Sequence, residues 1–140
     1  MKFGGTSATK FTVNSSTSIT ATSPQAVPGV VDVTVTTPAG TSALSPNDHF
    51  KFTPLVNSVS PSSGPSAGGT TVTITGSGFA LGTSGTIIKF GATASKSVNC
   101  TSSERCTAVS PKHEAAAVDV TARVNKVPSP KTSADHFTYV

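Results

Sequence analysis

The only two cysteines of this 140-residue chain are its first candidates for covalent chemistry. Cys100 and Cys106 lie on two segments predicted to pair as a short hairpin, in which facing Cβ atoms come close enough for a disulfide. The alternative is that both are small buried hydrophobic residues with free thiols. A disulfide would imply an oxidising, extracellular setting. We predict no zinc site, because the two thiolates lack partner ligands at zinc spacing.

Two histidines occupy matching sequence contexts and are the next candidates. Each lies between an aspartate and a phenylalanine at the predicted start of a last strand, as Asp48-His49-Phe50 and Asp135-His136-Phe137. Neighbours on a strand point to opposite faces, so Asp48 is not expected to orient His49 as the acid of a catalytic triad does. Both histidines are therefore predicted to be surface residues. The third, His113, follows Ser110-Pro111 in a predicted loop and has no evident partner.

The remaining candidates for an active site are weak. The glycines of Thr75-Gly76-Ser77-Gly78-Phe79 are similar to a phosphate-binding loop, but no helix follows them to supply the anion site. The six carboxylates are widely spaced, with no pair suited to glycoside hydrolysis and no calcium-loop pattern. We predict that the protein is not an enzyme and has no catalytic residue, no metal site and no cofactor.

The composition indicates an all-β chain. Charged residues make up only 11% of the chain and hydrophobic residues 35%. Much of the remainder is Thr, Ser, Gly and Pro, which favour strands and turns and are poor helix formers. The net charge is +4, but the ten Lys and Arg residues are scattered, whereas a nucleic-acid footprint needs clustered basic residues. No apolar run approaches the ~20 residues of a membrane span. We therefore expect no nucleic-acid partner and no membrane span.

An internal repeat organises the chain. Four short peptides recur at a constant offset of 87 positions (89 − 2, 110 − 23, 118 − 31 and 135 − 48), without a gap. The pairs are Lys2-Phe3-Gly4 with Lys89-Phe90-Gly91, Ser23-Pro24 with Ser110-Pro111, Val31-Asp32-Val33-Thr34 with Val118-Asp119-Val120-Thr121, and Asp48-His49-Phe50 with Asp135-His136-Phe137. At this offset Cys100 and Cys106 replace Val13 and Ile19, an apolar pair. The chain therefore contains two copies of one module.

The opening of the second copy has a recognisable order of turn and strand residues. Ser60-Pro61 ends a short apolar segment, Gly64-Pro65 and Gly68-Gly69-Thr70 follow, and Thr71–Thr75 alternates with the period of a half-buried strand. Gly76, Gly78 and Phe79 close the run. It resembles the opening of an IPT/TIG module, the immunoglobulin-like domain shared by plexins, some transcription factors and many bacterial surface proteins. The resemblance implies an immunoglobulin-like β-sandwich.

The two copies are predicted to be unequal. Residues 55–140 form a complete module, with strands near Val56–Ser60, Thr71–Thr75, Thr86–Phe90, Ser97–Thr101, Arg105–Val109, Val118–Val124 and Phe137–Val140. Residues 1–54 match only the later part, from Lys89 onward, so the counterpart of Leu55–Ile88 with its two opening strands is predicted to be missing. Only Thr53-Pro54 separates the copies, and Pro54 should stiffen the joint.

The alternation of apolar residues predicts which side chains form the core. The first copy contributes Phe3, Phe11, Val13, Ile19, Ala21, Val31, Val33, Val35, Phe50 and Phe52. The second contributes Val72, Ile74, Phe79, Ile88 or Phe90, Val98, Val109, Val118, Val120, Phe137 and Tyr139. Without the opening strands, Phe11, Ile19, Val33 and Phe50 should face water on one side, and a sheet edge should be left unpaired. One hypothesis is that a neighbouring chain completes it by strand donation, swapping or edge-to-edge packing in a filament; the rival is an arbitrary cut, with the half module resting against residues 55–140.

Three function classes follow. The first is a non-catalytic structural or adhesive module of a repetitive extracellular or cell-surface protein, whose partners are neighbouring modules or further copies of itself. The alternative is a carbohydrate-binding accessory module of a secreted polysaccharide-degrading enzyme, although the chain has no Trp and only one Tyr for stacking on sugars. A DNA-binding domain, as in the family's transcription factors, is disfavoured because the corresponding turns carry Ser, Gly and Thr in place of basic residues.

Overall fold

A computed structural model describes all residues from 1 to 140 and contains eighteen β-strands and no helix. The all-β prediction is confirmed. The chain forms two compact units: unit 1 comprises residues 1–26 and 30–52, and unit 2 comprises residues 27–29 and 53–140.

The strands of unit 1 are mostly short, as expected for segments rich in Thr, Ser and Gly. They are β1 (Lys2–Phe3), β2 (Thr6–Ser7), β3 (Lys10–Ser15), β4 (Ser18–Thr22), β5 (Gly29–Thr34), β6 (Thr36–Thr37), β7 (Gly40–Thr41) and β8 (His49–Phe52). Unit 2 contains β9 (Leu55–Ser60), β10 (Ser63–Gly64), β11 (Thr71–Ser77), β12 (Thr86–Phe90), β13 (Thr93–Ala94), β14 (Val98–Ser102), β15 (Arg105–Val109), β16 (Ala117–Val124), β17 (Val127–Pro128) and β18 (His136–Tyr139).

Unit 2 is a sandwich of two sheets. One sheet has the order β14-β15-β11-β9, and the other has the order β10-β18-β16-β12-β13, with β17 paired to β16. The core between them combines inward residues of both sheets: Val56, Val72, Ile74, Cys100, Cys106 and Ala108 from the first, and Ile88, Phe90, Val120, Ala122, Phe137 and Tyr139 from the second. The period-two alternation of β11 produces this arrangement, since Val72 and Ile74 are buried and Thr71 and Thr75 are exposed.

All seven strands predicted in unit 2 are present, with ends within two residues of the prediction. The short strands β10, β13 and β17 were not predicted. Val109 was assigned to the core wrongly: the register pairs Val72 with Ala108 and Ile74 with Cys106, so Ala108 points inward and Val109 is half-buried. A one-residue difference in phase moves a strand residue to the other face.

A β-bulge explains the glycine that ends the alternating part of β11. The register between β11 and β9 shifts between Thr75 and Gly76. A Cβ atom on residue 76 would lie 2.8 Å from the ring of Phe79 and collide with the carbonyl of Leu55. Glycine at this position therefore lets the Phe79 ring close one part of the core, where it is buried as predicted.

Unit 1 repeats the register of unit 2, not only its sequence. Its main sheet has the order β2-β1-β5-β8, and β3-β4 and β6-β7 form separate hairpins. Phe3 faces Val33 as Phe90 faces Val120, and Val13 faces Ile19 as Cys100 faces Cys106. The shift in strand register that follows Val13 in unit 1 also follows Cys100 in unit 2.

Burial is what distinguishes the two units. Phe3 and Phe52 are buried and pack edge to face with Phe50. Phe11 and Val13, however, are 54% and 61% exposed. The exposure of Phe11 is the one expected for a module without its opening strands. Val13, which was expected in the core, is exposed as well, and its partner strand β4 pairs only with β3.

Candidate functional site

The structure joins the Sγ atoms of Cys100 and Cys106 and leaves no free cysteine. The bond links β14 to β15 at facing register positions. Both residues are almost fully buried, at 2% and 0% exposure, so the disulfide is part of the core of unit 2. It constrains a short loop, and the chain-entropy estimate for such a loop is about 2 kcal/mol.

The disulfide predicts a simple labelling result. Protein folded under oxidising conditions and then alkylated in denaturant should take up no label, because both thiols are consumed in the bond. Addition of a reductant before alkylation should give two labels per chain by intact-mass analysis. Two labels without reductant would show that the cysteines are free thiols.

Each unit holds a histidine beside an aspartate of the adjacent strand. His136 Nε2 lies 3.1 Å from Asp119 Oδ1, and these residues face each other in the β16–β18 register. In unit 1, His49 Nε2 lies 3.2 Å from Asp32 Oδ1. Sequence reasoning missed these pairs because it compared each histidine only with its neighbour on the same strand. The available signal was that the Val-Asp-Val-Thr and Asp-His-Phe peptides recur at the same offset.

Asp135 is the buried carboxylate of this region. Its side chain is 0% exposed, and Oδ2 accepts a hydrogen bond of 2.8 Å from the Thr132 amide. Oδ1 is buried and accepts no hydrogen bond. Burial raises the pKa of Asp135 above its ordinary value; the nearby Asp119 adds to this, and the Thr132 hydrogen bond opposes it.

Unit 1 reproduces the arrangement around Asp48. The Ser45 amide donates to Asp48 Oδ2 at 2.9 Å, and Oδ1 is again buried without a partner. The backbone is also held in the same way: the Val33 amide donates to the Asp48 carbonyl at 2.8 Å, as the Val120 amide does to the Asp135 carbonyl at 2.7 Å.

Because the pKa of Asp135 is raised, the effect of Asp135→Asn on the free energy of unfolding should depend on pH. Well below pH 3.8, the ordinary value for Asp, the carboxyl is protonated in both the folded and the unfolded state, and the substitution should change stability little. As the pH rises through the higher folded pKa, the native carboxylate ionises in a buried site, and the native protein loses stability that the asparagine variant retains.

Thermal unfolding in buffer containing EDTA should therefore show a melting-temperature advantage for Asp135→Asn that grows between acidic and neutral pH and then levels off. Glu104→Gln, at an exposed carboxylate that does not contribute to the pKa of Asp135, is the control. An advantage that shrinks toward neutral pH would contradict the burial argument.

The geometry around the histidines does not form a catalytic cleft. The side chains of His49 and His136 are more than half exposed, and neither lines the groove beside His113 or the groove on the β3-β4 hairpin. His113 lines a shallow groove with Ser66, Ala67 and Lys112, but its Nδ1 lies 2.7 Å from the Glu114 carbonyl and its ring stacks on Tyr139 at 4.9 Å. Tyr139 itself is buried, which raises the pKa of its hydroxyl.

An apolar groove of about 570 Å³ lies on the β3-β4 hairpin of unit 1. Its apolar lining residues are Met1, Phe11, Val13, Ile19 and Val35, and hydroxyl side chains of Ser15–Ser18 and Thr36–Thr37 border them. The counterparts of Val13 and Ile19 are the disulfide cysteines at the centre of the unit 2 core. In unit 1 the equivalent surface is open.

The comparisons with known proteins agree with the fold. Residues 54–139 match the sequence model of the IPT/TIG domain. A search of the curated proteins finds no significant match. No helix in the structure has the length and apolar character needed to cross a membrane. The IPT/TIG domain is a non-catalytic immunoglobulin-like module; its match covers more than half of the chain, and the chain therefore belongs to the IPT/TIG family.

Proposed function

We propose that the chain is a structural or adhesive part of a repetitive extracellular or cell-surface protein, and that it assembles through the open face of unit 1. The observation that carries this proposal is a difference between equivalent residues. Val13 is 61% exposed, whereas Cys100 at the same repeat position is 2% exposed. The exposed apolar face of unit 1 is therefore available to pack against a strand from another molecule.

The hydrogen-bonding edge of the hairpin supports this proposal. In unit 2, β15 pairs with β14 on one side and with β11 on the other. In unit 1 the equivalent strand β4 pairs only with β3. The free edge of β4 thus presents unpaired backbone amides and carbonyls beside an apolar groove, which is the arrangement that accepts an added strand.

The occupant that we propose is a strand of a second copy of this chain. A suitable strand must pair with β4 and place alternating aliphatic side chains over Val13 and Ile19, as β11 places Ile74 opposite Cys106 in unit 2. Charge does not oppose the contact, since the groove is lined by apolar and hydroxyl side chains. Repetition of the contact would link copies edge to edge, as in a filament.

An extracellular setting is the location that the disulfide favours. A buried bond between Cys100 and Cys106 persists where the environment is oxidising. In a reducing compartment the same two residues would remain thiols. We therefore place the protein outside the cell or on its surface.

Light scattering over a range of concentrations tests the assembly. The full chain should increase in mean mass with concentration, and a truncated chain that starts at Leu55 should remain monomeric. Val13→Lys should reduce association by placing a charge in the groove, whereas Leu81→Lys, at an equally exposed position in unit 2, should not. A full chain that stays monomeric at high concentration would refute the proposal.

The exposed ring of Phe11 favours carbohydrate as a second candidate ligand. Phe11 lies beside the hydroxyl-rich border of the groove, where a sugar ring could stack on the phenyl face and bond to Ser and Thr. A glycan array separates the two functions. Binding of a defined polysaccharide that is lost in Phe11→Ala would favour the accessory role in a secreted polysaccharide-degrading enzyme.

A further inference from the structure

Contrary to the expectation from the sequence that there is no metal site, we propose that Asp119, Asp135 and His136 form a binding site for a divalent transition-metal ion of the zinc class. Asp32, Asp48 and His49 form a second such site. In each cluster one ligand atom from each of the three residues lies within 4.8 Å of the others. The inference is independent of the proposed assembly, since neither cluster lines the apolar groove of unit 1.

The unsatisfied buried oxygen of Asp135 points to a ligand. The side chain is fully buried, the Thr132 amide occupies Oδ2, and Oδ1 has no hydrogen-bond partner. A buried acceptor without a partner costs free energy, and a buried ionised one costs more. A cation between Asp135 and its neighbours would supply the missing interaction.

The distances and donor types fit a tetrahedral ion. Zinc binds imidazole nitrogen and carboxylate oxygen at roughly 2.0–2.2 Å, which places two tetrahedral ligands about 3.3–3.6 Å apart. His136 Nε2 and Asp119 Oδ1 lie 3.1 Å apart, so a small adjustment would admit the ion between them. An imidazole among the ligands favours zinc, copper or nickel over calcium and magnesium, which prefer oxygen alone.

The strands hold the three donors in place. Asp119 and His136 face each other across β16 and β18, and Asp135 is fixed by backbone and side-chain hydrogen bonds to Val120 and Thr132. Because His136 lies on the exposed side, the fourth coordination position would be open to water. Lys131 pairs with the other oxygen of Asp119, Oδ2, at 3.6 Å and leaves Oδ1 available.

Unit 1 provides an internal repetition of the site. Asp32, Asp48 and His49 have the same hydrogen bonds, the same unpartnered Oδ1 and a histidine–aspartate distance of 3.2 Å. The counterpart of Lys131 is Leu44, so this site has no competing cation at that position. Two copies of one ligand set predict a capacity of two ions per chain.

Equilibrium dialysis of the full chain without an affinity tag against ZnCl2, followed by metal analysis, tests the proposal. The parent should bind two zinc ions, His136→Gln and His49→Gln should each retain one, and the double variant should bind at least about tenfold more weakly at both sites. His113→Gln, outside both clusters, should bind as the parent does. Since His49 and His136 are exposed, their replacement should not prevent folding.

Thermal unfolding gives an independent readout, because an ion that binds only the folded state raises the melting temperature. Zinc should stabilise the parent, and this stabilisation should be lost in the His49→Gln/His136→Gln variant. Absence of zinc binding by the parent would overturn the proposal. Equal binding by the double variant would overturn it as well, as would a loss of binding in His113→Gln as large as that in the double variant.

Discussion

Replacing Phe137 with alanine should lower the free energy of unfolding of unit 2 by about 3–5 kcal/mol. The Phe137 ring is fully buried and packs edge to face against Phe90 at 5.3 Å and Tyr139 at 5.0 Å. Its removal would leave a cavity between the two sheets that the surrounding strands cannot close. Chemical denaturation of the full chain, followed by near-ultraviolet circular dichroism of Tyr139, would measure the loss.

Phe50 provides the matched control, since it occupies the same repeat position in unit 1. It is 37% exposed, so Phe50→Ala removes less buried area and leaves a smaller cavity. The loss in unit 1, measured by hydrogen exchange of the β5 and β8 amides because the single tyrosine lies in unit 2, should be well below that of Phe137→Ala in unit 2. Equal losses in the two units would mean that the core of unit 1 is as complete as that of unit 2, which would contradict the open-face account.

Supplying the opening strands to unit 1 should stabilise it by several kcal/mol. A copy of residues Leu55–Ile88 joined to Lys2 in place of Met1 would restore the repeat register and place β9- and β11-like strands over Val13 and Ile19. Burial of each large aliphatic side chain contributes about 1.5–3 kcal/mol, so a few such side chains are enough. The fused chain should unfold at a higher denaturant concentration than the parent.

The added strands should also remove self-association, because they occupy the edge of β4 within the same chain. A matched fused chain, in which the copied residue corresponding to Ile74 is aspartate, should neither stabilise unit 1 nor reduce association. If the fused chain gains no stability, or associates as strongly as the parent, the strands do not dock on this face.

Much of the fold of unit 2 was predictable because its signals are local. Strand alternation in β11, turn glycines and the order of residues from Ser60 to Phe79 identify an immunoglobulin-like module, and the IPT/TIG match at residues 54–139 confirms that identification. The facing positions of Cys100 and Cys106 could be predicted because the repeat aligns them with Val13 and Ile19, an apolar pair on a predicted hairpin. Whether they are bonded in solution remains a prediction for the labelling experiment.

The aspartate–histidine clusters were not predictable by the same reasoning. Their formation depends on which residues of β16 and β18 face each other, and on the turn that buries Asp135 before β18. Sequence neighbours on one strand say nothing about partners across a sheet. The assignment of Val109 to the core failed for the same reason, because the register, not the local pattern, determined the phase of β15.

Amide hydrogen exchange in β4 tests the central claim most directly. The claim is that the free edge of Ser18–Thr22 accepts a strand from a second copy, so the amides of β4 that do not bond to β3 should exchange more slowly as the concentration of the full chain rises. The same amides in the Val13→Lys variant should exchange rapidly at every concentration. Rapid exchange of the parent's β4 amides at high concentration, equal to that at low concentration, would contradict the account.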